Sequence, residues 1–89
     1  IYPSSGEINF TVSDIPTTVE TIRKNHADAK SIDDLDGLSI WYESYWFNVR
    51  ASKTEPLLRL NVEADTKEIL AAQTEKLLAE LVSLGAKRK

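Results

Sequence analysis

Apolar and polar residues alternate in four stretches of the chain, and two other segments carry helical spacing. Glu7–Val12 sets Ile8, Phe10 and Val12 against Glu7, Asn9 and Thr11. That is the period of a half-buried strand. Ser13-Asp14-Ile15-Pro16 ends it, and Thr17 with Glu20 three residues on predicts a capping box. A short helix with Val19, Ile22 and His26 on one stripe should follow and fade by Ala29. Leu38–Glu43 alternates again, with Leu38, Ile40 and Tyr42 on one side. Ser44-Tyr45 suits a hairpin connection, and Trp46–Ser52 turns Phe47, Val49 and Ala51 inward. Leu57–Ala64 places Leu58, Leu60, Val62 and Ala64 on one face and Arg59, Asn61 and Glu63 on the other. Asp65-Thr66-Lys67-Glu68 predicts a second capping box. A long helix follows with Leu70, Leu77, Leu81 and Leu84 in a stripe widened by Ile69, Leu78 and Val82, and Gly85 stands at its C′ position.

The order is β-α-β-β-β-α. Strands with one polar face suit an antiparallel sheet open to solvent on one side. Two amphipathic helices cover the other. The expected fold class is therefore α+β, a two-layer sandwich with a four-stranded, mainly antiparallel sheet and both helices on one face. Eighty-nine residues make one domain, 1–89. Ile1–Gly6, rich in Pro, Ser and Gly, reads as a linker. The chain opens without an initiator Met, which is expected of an excised fragment.

Charge narrows the partners. The net charge is −3, which weighs against nucleic acid and against a membrane surface. No Cys is present, which excludes a disulfide framework and a Cys-based zinc site, and one His cannot build a His-rich metal centre. No apolar run approaches membrane-span length, and no signal peptide is visible, so the cytoplasm is the default location. Asp33, Asp34 and Asp36 crowd one segment but lack the spacing of a calcium loop, and Asp36-Gly37 is turn chemistry. No metal site is assigned. Trp41 and Trp46 suit a stacking platform for bases or sugars; they suit better a cross-strand pair beside a tight turn. His26 reads as a helix-end or packing residue. Lys87-Arg88-Lys89 reads as a complement to the helix dipole.

Arg50-Ala51-Ser52-Lys53-Thr54-Glu55-Pro56 concentrates the chemistry. A guanidinium, an ammonium, two hydroxyls and turn N–H groups form the inventory of a phosphate site. A plain β-turn accounts for the same residues. The Gly-rich spacing of a Walker loop is missing, and neither Ser52 nor Thr54 has a sequence-local base, so no catalytic residue is assigned.

This loop resembles the R-[PA]-S-[GN]-T-[ET]-P loop of the α-D-phosphohexomutases. Three further pieces agree in register. Asp36-Gly37-Leu38 resembles the family's D-G-[VLI] strand start, and Glu63-Ala64-Asp65 the end of its next strand. Gly6-Glu7-Ile8-Asn9 resembles the E-I-N segment of the phosphomannomutase/phosphoglucomutase branch. The resemblance implies the last of four domains, with a TATA-box-binding-protein-like fold. It implies that Arg50, Ser52, Lys53 and Thr54 grip the phosphate of a mannose or glucose 1- or 6-phosphate while the domain helps to close the cleft for C1/C6 phosphoryl transfer. The phosphoserine, the Mg2+ site and the hexose 1,6-bisphosphate intermediate would then belong with upstream domains of the same polypeptide. A phosphoglucosamine mutase domain, or a non-enzymatic module for a phosphate, an acidic ligand or a partner protein, is the alternative. Lys53 stands where the family has Gly or Asn. Either the residue is strained at positive φ, or the turn is of another type, or it adds charge at the phosphate.

Overall fold

The computed structural model describes all residues, 1–89. Six strands and two helices follow in the order β1 (Ile8–Thr11), α1 (Ile15–Asn25), β2 (Ser31–Asp33), β3 (Leu38–Trp41), β4 (Tyr45–Ala51), β5 (Leu57–Ala64), α2 (Lys67–Ser83) and β6 (Lys87–Arg88). They form one sheet in the order β2-β3-β4-β5-β1-β6, with every pairing antiparallel. The α+β class and the strand-helix order hold. The four-stranded sheet does not, because both edges carry a short extra strand.

Those edge strands lie in segments whose composition signals turn or tail. β2 is three residues inside the carboxylate-rich stretch, too short for alternation to register. It forms because Ile32 opposite Ile40 reaches the core margin. β6 is two residues of the basic tail, which pair with Phe10 and Thr11 of β1. Lys87 and Arg88 therefore close a sheet edge and do not serve a helix end.

Alternate residues of the four long strands converge on one face. Ile8, Phe10, Leu38, Ile40, Phe47, Val49, Leu58, Leu60 and Val62 join Ile22 of α1 and Leu77 and Leu81 of α2 in a single core. Fully burying each such side chain stabilises the fold by about 1.5–3 kcal/mol. Three assignments shift. Ala51, expected inward, is exposed at the end of β4, and Val82 faces solvent from α2. Tyr45 belongs to β4 rather than to the connection, which is Tyr42–Ser44 closed by a Tyr42 N–H bond to the Tyr45 carbonyl (2.8 Å).

The helix ends follow local chemistry. α1 begins two residues before Thr17. Asp14 is its N-cap and accepts the Thr17 N–H (3.1 Å), and Pro16 fits the first turn, where no N–H is needed. Glu20 pairs with Arg23 (3.4 Å) and closes no capping box. α2 starts from Thr66, whose hydroxyl accepts the Ile69 N–H (3.1 Å). It ends in a Schellman turn: Ala86 N–H bonds Leu81 O and Gly85 N–H bonds Val82 O (both 3.0 Å), with Gly85 at φ +93°. At the other end of the chain, Ser4 bridges to Glu63, and Ser5 exchanges bonds with Val62 (2.8 and 3.0 Å). The segment before β1 thus lies along β5.

Candidate phosphate-binding site

The β4–β5 connection sits at one end of the sheet's open face. The register pairs Arg50 with Arg59 and Ala51 with Leu58, so two arginines stand at paired positions on that face. Together with Asp36, Ser52, Lys53 and Thr54 they line an open basin of about 540 Å³. Like charges directly opposite each other across a sheet are destabilising. Each arginine therefore leans on a carboxylate at ion-pair distance, Arg50 on Asp36 and Arg59 on Glu7, both 3.6 Å. Neither is a close bidentate pair. The donor edges remain available to a better acceptor, such as an oxyanion.

Gly37 and Asn48 hold the wall of the basin. Asn48 lies two residues before Arg50 on β4, and its amide donates to the Asp36 carbonyl (2.7 Å) and to Ser39 Oγ (2.9 Å). This fixes the turn that carries Asp36 over Arg50. Gly37 takes φ +69°, and a Cβ added there would lie 2.5 Å from Arg50 Cβ and 2.7 Å from the Val49 carbonyl. Only glycine allows that approach. The sequence places Asp36-Gly37 in a turn, but not in contact with Arg50.

Ser52 organises the loop itself. Its N–H bonds the Leu57 carbonyl (2.9 Å), continuing the ladder past Ala51. Its hydroxyl accepts weakly from the N–H groups of Thr54 (3.4 Å) and Glu55 (3.3 Å). Two of the turn N–H groups expected to face an anion thus point at Ser52 instead. The Ser52 hydroxyl hydrogen stays free to be donated. Lys53 sits at negative φ, since no residue other than glycine has a positive one. Its replacement of Gly or Asn is therefore accommodated by another turn type and not by strain. All four sequence-assigned residues line the basin. Arg59 is the residue that the sequence reading missed. The signal was available: closing the strands around Ser52–Pro56 puts Arg59 opposite Arg50.

The other residues singled out in the sequence go elsewhere. Asp33 accepts the Leu35 N–H (2.6 Å), Asp34 pairs with Arg23, and Asp36 faces Arg50. The three carboxylates take three separate partners and form no cluster suited to a cation. His26 caps the C-terminus of α1 and ties it to two elements. Its Nε2 lies 2.8 Å from Glu80 of α2 and its Nδ1 2.6 Å from the Tyr42 hydroxyl, which donates to Asp28 (3.0 Å). Burial and the bond to Asp28 push the Tyr42 hydroxyl pKa upward. Burial alone would raise the Glu80 pKa; the hydrogen bonds from His26 and Asn25 outweigh it and hold the carboxyl below its ordinary value. This cluster is a packing joint, and none of its residues lines the basin.

The chain resembles known proteins throughout its length. The model of the family described as "Phosphoglucomutase/phosphomannomutase, C-terminal domain" matches residues 7–80. A phosphomannomutase of Methanocaldococcus jannaschii is 45% identical over 85 residues, covering 96% of this chain and 19% of that protein. A phosphomannomutase of Escherichia coli is 45% identical over 83 residues, covering 90% of this chain and 18% of its own length. A solved structure of a phosphoglucomutase/phosphomannomutase family protein from Burkholderia thailandensis superposes over 99% of this chain and 19% of its own, with a TM-score of 0.77 at 22% identity. That likeness concerns the fold. The chain spans about one fifth of the length of these relatives. No helix is long and apolar enough to cross a membrane. With the family model matched from β1 into α2, and relatives 45% identical over 90% or more of the chain, this chain belongs to the C-terminal domain family of the phosphoglucomutases and phosphomannomutases.

Proposed function

We propose that the basin beneath Arg50–Pro56 binds the phosphate group of a mannose or glucose phosphate. Within a longer enzyme the domain would then help to close the cleft during phosphoryl transfer between C1 and C6. One observation carries this reading. Two arginines, a lysine and two hydroxyls surround one open basin, and its only carboxylate stands 3.6 Å from Arg50. Arg50 and Arg59 supply forked donors, Lys53 a point charge, and Ser52 and Thr54 hydroxyl donors. The Ser52 hydroxyl meets only backbone N–H groups and no base, so the contribution is positioning and charge stabilisation, on which phosphoryl transfer chiefly depends. The residues do not fit a Mg2+ site, because the nearby carboxylates are separately engaged. The metal, the phosphoserine and the bisphosphate intermediate are assigned to other domains of such an enzyme.

The test is a titration of the 89-residue chain with glucose 1-phosphate, mannose 1-phosphate and inorganic phosphate, followed by backbone amide shifts. Saturable shifts confined to Asn48–Glu55 and Arg59, lost in Arg50→Ala, are expected. Charge-assisted bonds of about 1.5–3 kcal/mol each, offset by association costs, imply affinity on the order of millimolar. No response at tens of millimolar (roughly tenfold above that affinity) would overturn the assignment.

A further inference from the structure

The open face of the sheet is graded along the strands. Arg50 and Arg59 occupy one row, and Ser39, Asn48 and Asn61 the next. Trp41 and Trp46 pair at the far end, with Glu63 beyond Trp46. Trp46 lies four residues from Arg50 along β4, about 13 Å at strand rise, and Trp41 is paired level with it on β3. A hexose monophosphate held at Arg50, with its ring one ester bond from phosphorus, does not reach them. Whatever the tryptophans do, they do apart from the phosphate loop.

Trp46 is preorganised from two sides. Its indole N–H donates to Glu63 (2.7 Å), and the Tyr2 ring meets it edge-on at 4.9 Å and 86°. Beside it lies an open groove of about 500 Å³, lined by Trp41, Trp46, Tyr42, Asp33, Glu43 and Lys30, among others. That volume lies within the range of small-ligand sites. A fixed indole face, Trp46, with Trp41 beside it and hydrogen-bonding groups around, offers flat apolar contact and polar ends together. Carboxylates from β2 and from the β3–β4 connection repel an anion, and Lys30 in the same lining offsets one of their two negative charges. The occupant they favour is uncharged, ring-shaped and rich in hydroxyls. We infer that this groove is a subsite for a neutral pyranoside, whose C–H face lies on Trp41 and Trp46 and whose hydroxyls donate to Asp33 and Glu43. The held Trp46 ring lowers the ordering cost of binding, so a shallow site suffices for weak saccharide affinity.

The experiment follows the two indole N–H signals and the backbone amides of the 89-residue chain during titration with methyl α-D-glucopyranoside and with maltose. Saturable shifts at Trp41, Trp46 and Lys30–Ser31 are expected, with Arg50 and Ser52 unmoved. Trp41→Ala should weaken binding about fivefold or more, the loss of one aromatic face. Glu43→Ala, an exposed loop change that leaves the core intact, should weaken it as well, and it answers the question if Trp41→Ala fails to fold. No saturable response by about 100 mM, well above millimolar affinity, overturns the inference. So do unchanged affinity in both variants and an equal response to tetramethylammonium chloride. If inorganic phosphate shifts the Arg50 loop while the glycosides shift nothing, this inference alone falls. The reverse result removes the phosphate assignment and leaves the groove.

Discussion

Gly37→Ala tests how the arginine loop is built. Two costs combine at this position. A left-handed backbone costs an L-residue about 1–2 kcal/mol. The new methyl would meet Arg50 Cβ at 2.5 Å and the Val49 carbonyl at 2.7 Å. Those atoms belong to β4 near the middle of the sheet and cannot swing aside like the end of a flexible side chain. Overpacking of this kind costs about 1–3 kcal/mol. The sum is about 2–5 kcal/mol, a large share of the roughly 5–15 kcal/mol expected for a whole domain. At about 4–8 °C per kcal/mol, the melting temperature should fall by at least about 8 °C. Gly6 and Gly85 supply the control, because each has a positive φ with nothing within 4 Å of the added Cβ. Gly6→Ala and Gly85→Ala carry only the conformational cost. Thermal melts by circular dichroism compare the three variants. The surviving folded Gly37→Ala protein should also bind phosphate more weakly, because its Arg50 is displaced. If it melts within about 2 °C of the Gly85→Ala protein, well inside the difference that the overpacking cost requires, the close approach is not a constraint and the reasoning fails.

Two further outcomes follow from the helices. Thr66→Ala removes the side-chain acceptor of the Ile69 N–H, so stability should drop by about 0.5–2 kcal/mol, with Thr66→Ser restoring it in urea titrations. The Glu80 carboxyl has its pKa lowered below 4.5 in the fold, against its burial, by bonds from His26 and Asn25. The stability it contributes is therefore present above pH 4.5 and lost as pH falls through the lower folded value. Melting temperatures of the native chain should decline through that acid window, and Glu80→Gln should flatten part of the decline. An identical acid profile in the variant would exclude Glu80 as a source.

The sequence carried the long elements because their burial is regular. Ile8 and Phe10, Leu38 and Ile40, Phe47 and Val49, and Leu58 to Ala64 alternate over enough residues to reveal a face, and Leu77 and Leu81 repeat at helical spacing. The short edges were not legible. Two or three residues carry no period, and β2 and β6 exist because a neighbouring strand offers unpaired backbone groups. The start of α1 was misplaced for a local reason: Asp14 and Thr17 are both competent caps, and Pro16 decides between them by fitting only inside the first turn. In the site, the loop residues were visible as a composition, whereas Arg59 and the crowding of Gly37 against Arg50 depend on register and strand contact.

Register also gives the site an energetic character. Arg50 and Arg59 face each other at paired positions, an arrangement that opposes folding, and their carboxylate neighbours stand at 3.6 Å and not in close contact. A fold selected for stability alone gains nothing from that pair, and an anion between the guanidiniums relieves it. Stability and binding should therefore move in opposite directions when one arginine is neutralised. Arg59→Met keeps the aliphatic stem and removes the charge. In chloride its melting temperature should equal or exceed that of the native chain. In phosphate at the same ionic strength the native chain should gain about 1.4 kcal/mol at ten times its Kd, which corresponds to about 6–11 °C, and the variant should gain much less. Two results would refute the argument. One is a variant that loses stability in chloride, which would make Arg59 a structural residue held by Glu7. The other is an equal phosphate gain in both proteins, which would make the effect a general action of phosphate on the folded surface.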